Sequence, residues 1–298
     1  MANLKEIRTR ITSVKSTRQI TSAMKMVSAA KLRRAQDAVI QMRPYVSKLQ
    51  SILTNLWESL SAEYVIPLRE EREVKKALFV VITSNKGLCG AFNSSVVKEV
   101  IATLDSEPYK SLYEKDALDI YSIGKKGKDL LKSKGVKITK TLDDLYDNLD
   151  FEHVKPIGEH IINEFLNGNY DKVILFYNHF KNAGTQILTK EQYLPLVSMA
   201  EEHDGPIYSQ VNRDYILEPN REHIITNLLP KLVKTMLYKA LLDSHASEHG
   251  ARMTAMHKAT DNASDLLKQL QLDYNKARQA SITNEILEIV SGAEALNG

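Results

Sequence analysis

An α/β fold flanked by a long coiled coil of the chain's own two ends is predicted, and three observations predict it. The last seventy or so residues, about 221 to 296, contain no helix breaker except Pro230, Gly250 and Gly292. Their apolar positions step through Met253, Met256, Thr260, Ala263, Leu267, Leu270, Tyr274 and Ala277, alternately three and four apart. That alternation is the seam of a two-stranded coiled coil. The first sixty residues carry a matching pattern, which supplies the second strand. Between the two ends, short β-branched apolar runs alternate with helical stretches, as in a layered and mostly parallel α/β unit.

Lengths support the pairing. A helix of about 70 residues is roughly 105 Å long at 1.5 Å per residue. A compact chain of this size has a radius of gyration near ~19 Å. The C-terminal helix is therefore expected to outrun its own body and to need a partner along its seam. The two ends then lie antiparallel and project together. The expected division is an N-terminal coiled-coil helix over 1–66, a central α/β domain over 67–219 and a C-terminal coiled-coil helix over 220–298.

In chain order, residues 2 to 60 read as one helix. Leu4, Ile7, Ile11 and Val14 open the 3,4 pattern. The pattern degrades through Arg18 and Thr21, while Ile20, Met24 and Val27 carry an apolar stripe one step round the helix. It is strict again through Val39, Met42, Val46, Leu49, Leu53, Leu56 and Leu60, with Pro44 predicting a bend or a missing hydrogen bond. Pro67 and the charge run from Arg69 to Lys76 end the segment. Ala77 to Thr83 is short, apolar and β-branched, a buried strand. A turn from Ser84 to Gly90 and a helix to about Leu104 follow. Ala117–Ser122 reads as a second strand, Gly124–Lys134 as a helix and Val136–Thr139 as a third strand. Phe151–Asn167 is a helix with Ile157, Ile161, Ile162 and Phe165 on one side. Lys172–Tyr177 is a fourth strand, and Thr185–Leu188 with Tyr193–Leu196 an edge strand or hairpin. Gly205-Pro206 and Pro219-Asn220 close the domain.

Composition narrows the function. The chain's net charge is only +3, but residues 1 to 50 hold eleven Lys or Arg against Glu6 and Asp37. That end carries +9, which leaves −6 for the remainder. A basic helix on a mildly acidic body points to an acidic partner, protein or nucleic acid. Before Tyr45 the helix has no aromatic residue for stacking and no cluster suited to base edges, which favours a protein. Cys89 is the only cysteine, so no internal disulfide is possible. No apolar run reaches the 18 residues of a membrane span. The first residues lack a secretory h-region, and a cytoplasmic protein is the default expectation.

Candidate sites each meet a plainer reading. Ser84 to Asn93 follows a strand and precedes a helix, where phosphate loops sit. Its Gly-x-x-Gly pattern lacks the Lys and Ser/Thr that phosphate and metal require, so a tight structural turn is expected. Cys89 has no visible base beside it and reads as packed or half-exposed. His245 and His249, one turn apart, could share a metal, but no supporting carboxylate pattern accompanies them. A solvated helix face is expected there. No nucleophile with a base, paired carboxylates or metal cage stands out, and no cofactor is expected.

Several segments resemble a known family. They are Leu4-Lys-Glu-Ile-Arg8, the run Ile20 to Val27, the turn Lys86 to Asn93, and Arg252 to Ala263. The longest is Tyr274 to Ala293, with its Ile-Thr-x-Glu…Glu…Gly-Ala signature. Together they are similar to the gamma subunits of rotary F-type ATP synthases, across essentially the whole chain. The resemblance implies a central rotor shaft, non-catalytic by itself, present in one copy per complex. It implies an antiparallel pair of terminal helices inside a hexamer of alpha and beta subunits. A Rossmann-like α/β domain below would touch the epsilon subunit and the ring of membrane c subunits. By position, Arg252, Gln279, Thr283 and Glu285 match the family's contacts with the beta catch-loop region. Met24 and Lys25 match positions near an acidic lever segment of beta, which a basic residue attracts and an acid repels. The basic N-terminal helix then complements that lever, which displaces the nucleic-acid reading. Membrane association is implied only through the c ring, on the cytoplasmic face of the cell membrane. With Cys89 alone, the paired-cysteine redox switch of chloroplast relatives is not available. The start at Met1, without an Arg-rich leader, favours a bacterial protein.

Overall fold

The computed structural model describes residues 4–58, 66–196, 218 and 220–297. They group into two compact units, Ala30–Ala251, and Met1–Ala29 with Arg252–Gly298. Two helices, α1 (Leu4–Glu58) and α6 (Arg221–Asn297), have residues in both. Pro44 and Pro230 lie inside these helices without ending them. The amide that Pro44 lacks would have bonded the carbonyl of Ile40, and both residues are on the exposed side of α1, where water can replace the bond.

The larger unit is built on one sheet. Its strands are β1 (Ala77–Ile82), β2 (Leu118–Ile123), β3 (Lys140–Thr141), β4 (Lys172–Asn182) and β5 (Thr185–Leu194). They are ordered β3-β2-β1-β4-β5. All neighbours are parallel except β4 and β5, which form an antiparallel hairpin at one edge. Every residue of β1 is buried, because helices cover both faces of the sheet. On one face Phe79, Val81, Ile120 and Phe176 meet α2 (Phe92–Leu104), α3 (Tyr109–Glu114) and α4 (Lys125–Ser133). On the other, Leu78, Val80, Ile82, Val173 and Leu175 meet α5 (Phe151–Leu166), α1 and α6. Leu49, Leu53 and Leu56 of α1, and Leu229, Leu232, Val233 and Leu237 of α6, are part of that core. The hydroxyl of the fully buried Tyr193 donates to the carbonyl of Val233 at 2.8 Å, tying β5 to α6.

Among the described residues the predicted elements stand apart from two differences and a longer edge hairpin, in which β4 runs on to Asn182 and β5 is continuous from Thr185 to Leu194; Leu60, Gly205-Pro206 and Pro219 lie outside the described residues. The third strand is not Val136–Thr139 but the two residues after it, paired with Tyr121 and Ser122. Thr139 is the reason. Its hydroxyl takes the amide of Ile120 at 3.3 Å and itself donates to Asp119. A side chain thereby occupies a donor the ladder would have used. Val136 and Ile138 still pack against the core, from irregular chain. The second difference is α3, a six-residue helix with no expectation behind it; it seats Tyr109 edge-on against Phe79, ring centroids 5.2 Å apart.

Gly124 is a position where the fold has no alternative to glycine. It stands between β2 and α4 at φ +99°, and a Cβ there would strike the carbonyl of Thr83. Gly124→Ala is expected to destabilise the chain by about 3 kcal/mol, combining left-handed backbone strain with overpacking. Denaturant unfolding of the full chain measures it; a loss below about 1 kcal/mol would contradict the account.

Candidate functional site

A doubly wound sheet offers its ligand crevice beyond the carboxyl ends of the strands, where the strand order reverses. Here that place lies beside β1 and β4, at the turn from Ser84 to Asn93. The turn fills it with its own side chains. Asn93 Oδ1 accepts from the Ser84 amide at 2.9 Å, and Asn93 Nδ2 reaches Cys89 Sγ at 3.3 Å. Asn178 on β4 donates to the carbonyl of Phe92 at 3.1 Å, closing the gap between β4 and α2. The first amides of α4, which could hold an anion, are already bonded. Lys125 donates to Asn85 Oδ1, Lys126 to the Ser84 carbonyl and Gly127 to Thr83 Oγ1, each at 3.0 Å. Leu88 and Gly90 take positive φ to complete the turn, and Cys89 is 2% exposed. The structural-turn reading stands, and Cys89 is a packed thiol.

The His pair differs from expectation. His245 and His249 approach to 3.1 Å between their Nε2 atoms, so in the neutral pair one ring donates to the other. His249 is buried, and His245 stacks against Tyr146 with centroids 5.8 Å apart. This is packed interior and not a solvated face. Among the described residues no group of three or more His, Cys, Asp or Glu is placed to hold a metal.

The smaller unit is the more informative surface. Residues 4–29 of α1 and 252–297 of α6 form a helix pair. The pair is antiparallel: Arg18, Ser22 and Met26 share a groove of about 410 Å³ with Thr260 and Ser264, while Ile11 and Lys15 share the next, about 290 Å³, with Leu267 and Gln271. Thr21 and Thr260 hydrogen-bond across the seam at 2.8 Å. Ala263, Leu267 and Leu270 are buried and Tyr274 and Ala277 half-buried, as the heptad predicts.

On α1 the seam does not degrade, which corrects the sequence reading. Thr21 and Ser28 are buried, and Arg18 and Lys25, which alternate with them along the seam, are half-buried. Positions 4, 7, 11, 14, 18, 21, 25 and 28 therefore keep the alternation of three and four, polar residues included. Ile20 and Val27 of the supposed alternative stripe are 60% and 57% exposed, and Met26 is 66% exposed. Polarity misleads here because a seam of small and polar residues packs loosely, and the grooves record that looseness. An apolar face is left uncovered as a result.

The six residues singled out from sequence fall into two groups. Met24 and Lys25 are half-buried at the level of Met256 on α6, since the level sum of facing residues is set by Thr21 and Thr260. Gln279, Thr283 and Glu285 are exposed, roughly 35 to 44 Å further along α6 at 1.5 Å per residue. Thr283 bonds back to the carbonyl of Gln279 at 3.0 Å, and Glu285 accepts from Ser281 at 3.3 Å. Arg252 stands apart from both groups and is buried, 7% exposed.

One set of residues escaped the sequence reading. Beyond Ala277, α6 passes the first described residue of α1 and has no partner helix among the described residues. Ile282, Ile286, Leu287, Ile289 and Val290 are there 47% to 71% exposed. The signal was available: pairing the ends antiparallel about the seam leaves the last twenty residues unmatched. A run of large apolar side chains in water marks a surface that another molecule covers. The exposed Lys5, Arg8, Arg10 and Lys15 of α1 give the same unit a basic flank.

Comparisons with known proteins agree with this arrangement. The family described as ATP synthase matches residues 3–296. Among curated proteins, the ATP synthase gamma chain of Flavobacterium johnsoniae is 57% identical, with the whole of both chains covered. That of Cytophaga hutchinsonii is 50% identical over the same extent. Among solved structures, a chain of the Tetrahymena thermophila mitochondrial ATP synthase central stalk and c-ring is 27% identical with a TM-score of 0.55, covering 80% of this chain and 99% of that one. A chain of the Euglena gracilis mitochondrial OSCP/F1/c-ring assembly has the same fold, with a TM-score of 0.70 at 22% identity over 98% of this chain and 94% of that one.

Proposed function

The chain belongs to the ATP synthase gamma-chain family, and we propose that its smaller unit is the part that drives the catalytic subunits. Members are the non-catalytic central rotor stalk, and the catalytic sites are on the beta subunits. The subunit is peripheral to a membrane-bound complex, and among the described residues no helix is long and apolar enough to cross a membrane. A rotor needs two things of its shaft: stiffness along the axis, and a surface that contacts successive subunits without locking to any. The first comes from the antiparallel seam. The second fits a surface of separate apolar side chains and flexible cations.

The single observation that carries the reading is the uncovered apolar run from Ile282 to Val290 on a helix that has outlasted its own partner. It is too apolar for water and has nothing of its own chain to cover it among the described residues. A sleeve made by alternating alpha and beta subunits covers it. Met24, Lys25, Gln279, Thr283 and Glu285 are then contacts with beta: the first two at an acidic lever, the other three at the catch region, while Arg252, matched by position to the same region, is buried and about 40 Å or more from them along α6. The larger unit touches epsilon and the c ring. Ion flow turns the ring and the shaft, and shaft orientation sets which beta conformer is lowest in energy. Hydrolysis runs the same coupling in reverse. The complex faces the cytoplasm from the cell membrane.

The test is co-expression with the alpha and beta subunits of the same organism, with the chain alone as control. The expected result is co-elution as one large complex whose ATP hydrolysis exceeds that of alpha and beta without the chain, the chain alone being inert. Failure to join the complex would overturn the reading.

A further inference from the structure

Within the larger unit, one buried carboxylate joins three elements. Asp243 of α6 has a side chain 1% exposed. Its Oδ2 accepts from His179 Nδ1 of β4 at 2.9 Å. A carboxylate can only accept, so Nδ1 is the protonated nitrogen. Its Oδ1 lies 3.9 Å from the guanidinium of Arg43 on α1, and that guanidinium also donates to the Phe180 carbonyl on β4 at 3.3 Å. Oδ1 has no hydrogen bond. Seven residues on, the same face of α6 meets the tip of the β4–β5 hairpin. A Cβ on Gly250 would come within 3.0 Å of the Ala183 carbonyl.

Such a group is a poor way to gain stability. Desolvating a carboxylate is costly, and a 3.9 Å partner with an unsatisfied oxygen returns little; apolar residues of the same size often do better. What an ion pair supplies and apolar packing does not is register. Leucines slide past one another at small cost, whereas a buried charge held by two elements loses its compensation as soon as either moves. Resting on the rotor reading, we infer that Asp243, with His179 and Arg43, is the joint that fixes both long helices against the sheet and stops them slipping under torque. The hairpin tip at Gly250 braces the same face of α6. Asp243 acts through its neighbours and is a positioning residue.

The test uses the whole complex in sealed membrane vesicles, reading ions pumped per ATP hydrolysed against an opposing ion gradient. Asp243→Leu is expected to assemble, to hydrolyse ATP at the parental rate and to pump at least twofold fewer ions per ATP under load. Asp243→Asn, which can still accept from His179, is expected to fall between. Thermal unfolding of the isolated full chain should show Asp243→Leu no less stable than the parent, a combination that a merely structural role does not produce. If Asp243→Leu does not fold, a triple variant that also carries His179→Leu and Arg43→Met removes the charges together and is read the same way. A parental pumping ratio under load in an assembled, folded variant overturns the joint. If the parent chain itself gives no stimulation of hydrolysis, the rotor reading has failed instead.

Discussion

Lys25→Glu is expected to cut the ions pumped per ATP at least twofold while leaving assembly and the stability of the chain nearly untouched. Lys25 is half-buried at a seam level of α1, and no described acid pairs with it. Its near neighbours at three and four residues' distance, Thr21, Ser22, Ser28 and Ala29, carry no charge. Within the chain the substitution therefore removes no partner and creates no like-charge contact, and a change within about 0.5 kcal/mol is expected. Its effect falls on the acidic lever of beta proposed to face it. A unit charge pair about 4 Å apart near a protein surface interacts with up to ~4 kcal/mol before solvation and screening, and measured exposed pairs retain about 1. Turning attraction into repulsion then shifts the balance between beta conformers by about 2 kcal/mol, roughly thirtyfold in population. Vesicles reporting ion uptake and ATP consumption together make the measurement. Equal uptake per ATP in variant and parent sinks the assignment of Lys25, and a large fall in the melting temperature of the isolated chain sinks the claim that it acts on a partner.

How much of this was legible in the sequence depends on whether a residue's own chain or another chain decides its surroundings. Ala77 to Ile82 announces a doubly covered strand because no polar residue interrupts it, and the heptad from Met253 to Ala277 announces a seam because its partner lies on the same chain. The third strand was misplaced because the Thr139 hydroxyl takes the Ile120 amide, even though the Thr139 amide still bonds the Ile120 carbonyl, a choice that composition does not record. The six residues of α3 are too few to show a period. The apolar stripe at Ile20, Met24 and Val27 was read as a feature one step round the helix, and the error was to let the seam degrade at Arg18 and Thr21, because polarity was taken to mean exposure. His245 and His249 were placed in solvent because no supporting carboxylate pattern accompanies them, although α6 is covered at that height on most sides, from Leu241 to Gly250. The buried Asp243 could not be seen as special at all, since nothing in the sequence links it to Arg43, 200 residues before it, or to His179, 64 residues before it.

Ile282, Ile286 and Ile289 replaced together by Ser give the sharpest separation between the chain and its complex. These side chains are 47%, 55% and 71% exposed in the chain itself, so their removal costs its folding little, at most a few tenths of a kcal/mol each from helix propensity. Positions 282, 286 and 289 recur at four and three residues and share one face of α6, which a surrounding sleeve would cover. Burying each of them there is worth roughly 1.5 kcal/mol, at the low end because half of each is already shielded or remains so. Three together give about 4 kcal/mol, or several hundredfold to a thousandfold in affinity, and imperfect packing in a rotating bearing reduces that to about tenfold or more. The isolated variant should therefore melt with the parent, while the concentration at which its complex with alpha and beta dissociates rises at least tenfold. Dilution followed by gel filtration reads the second quantity and circular dichroism the first. Unchanged dissociation would mean that the exposed run faces water in the assembly, and the contact surface would then have to be sought along Met24 to Val27 instead.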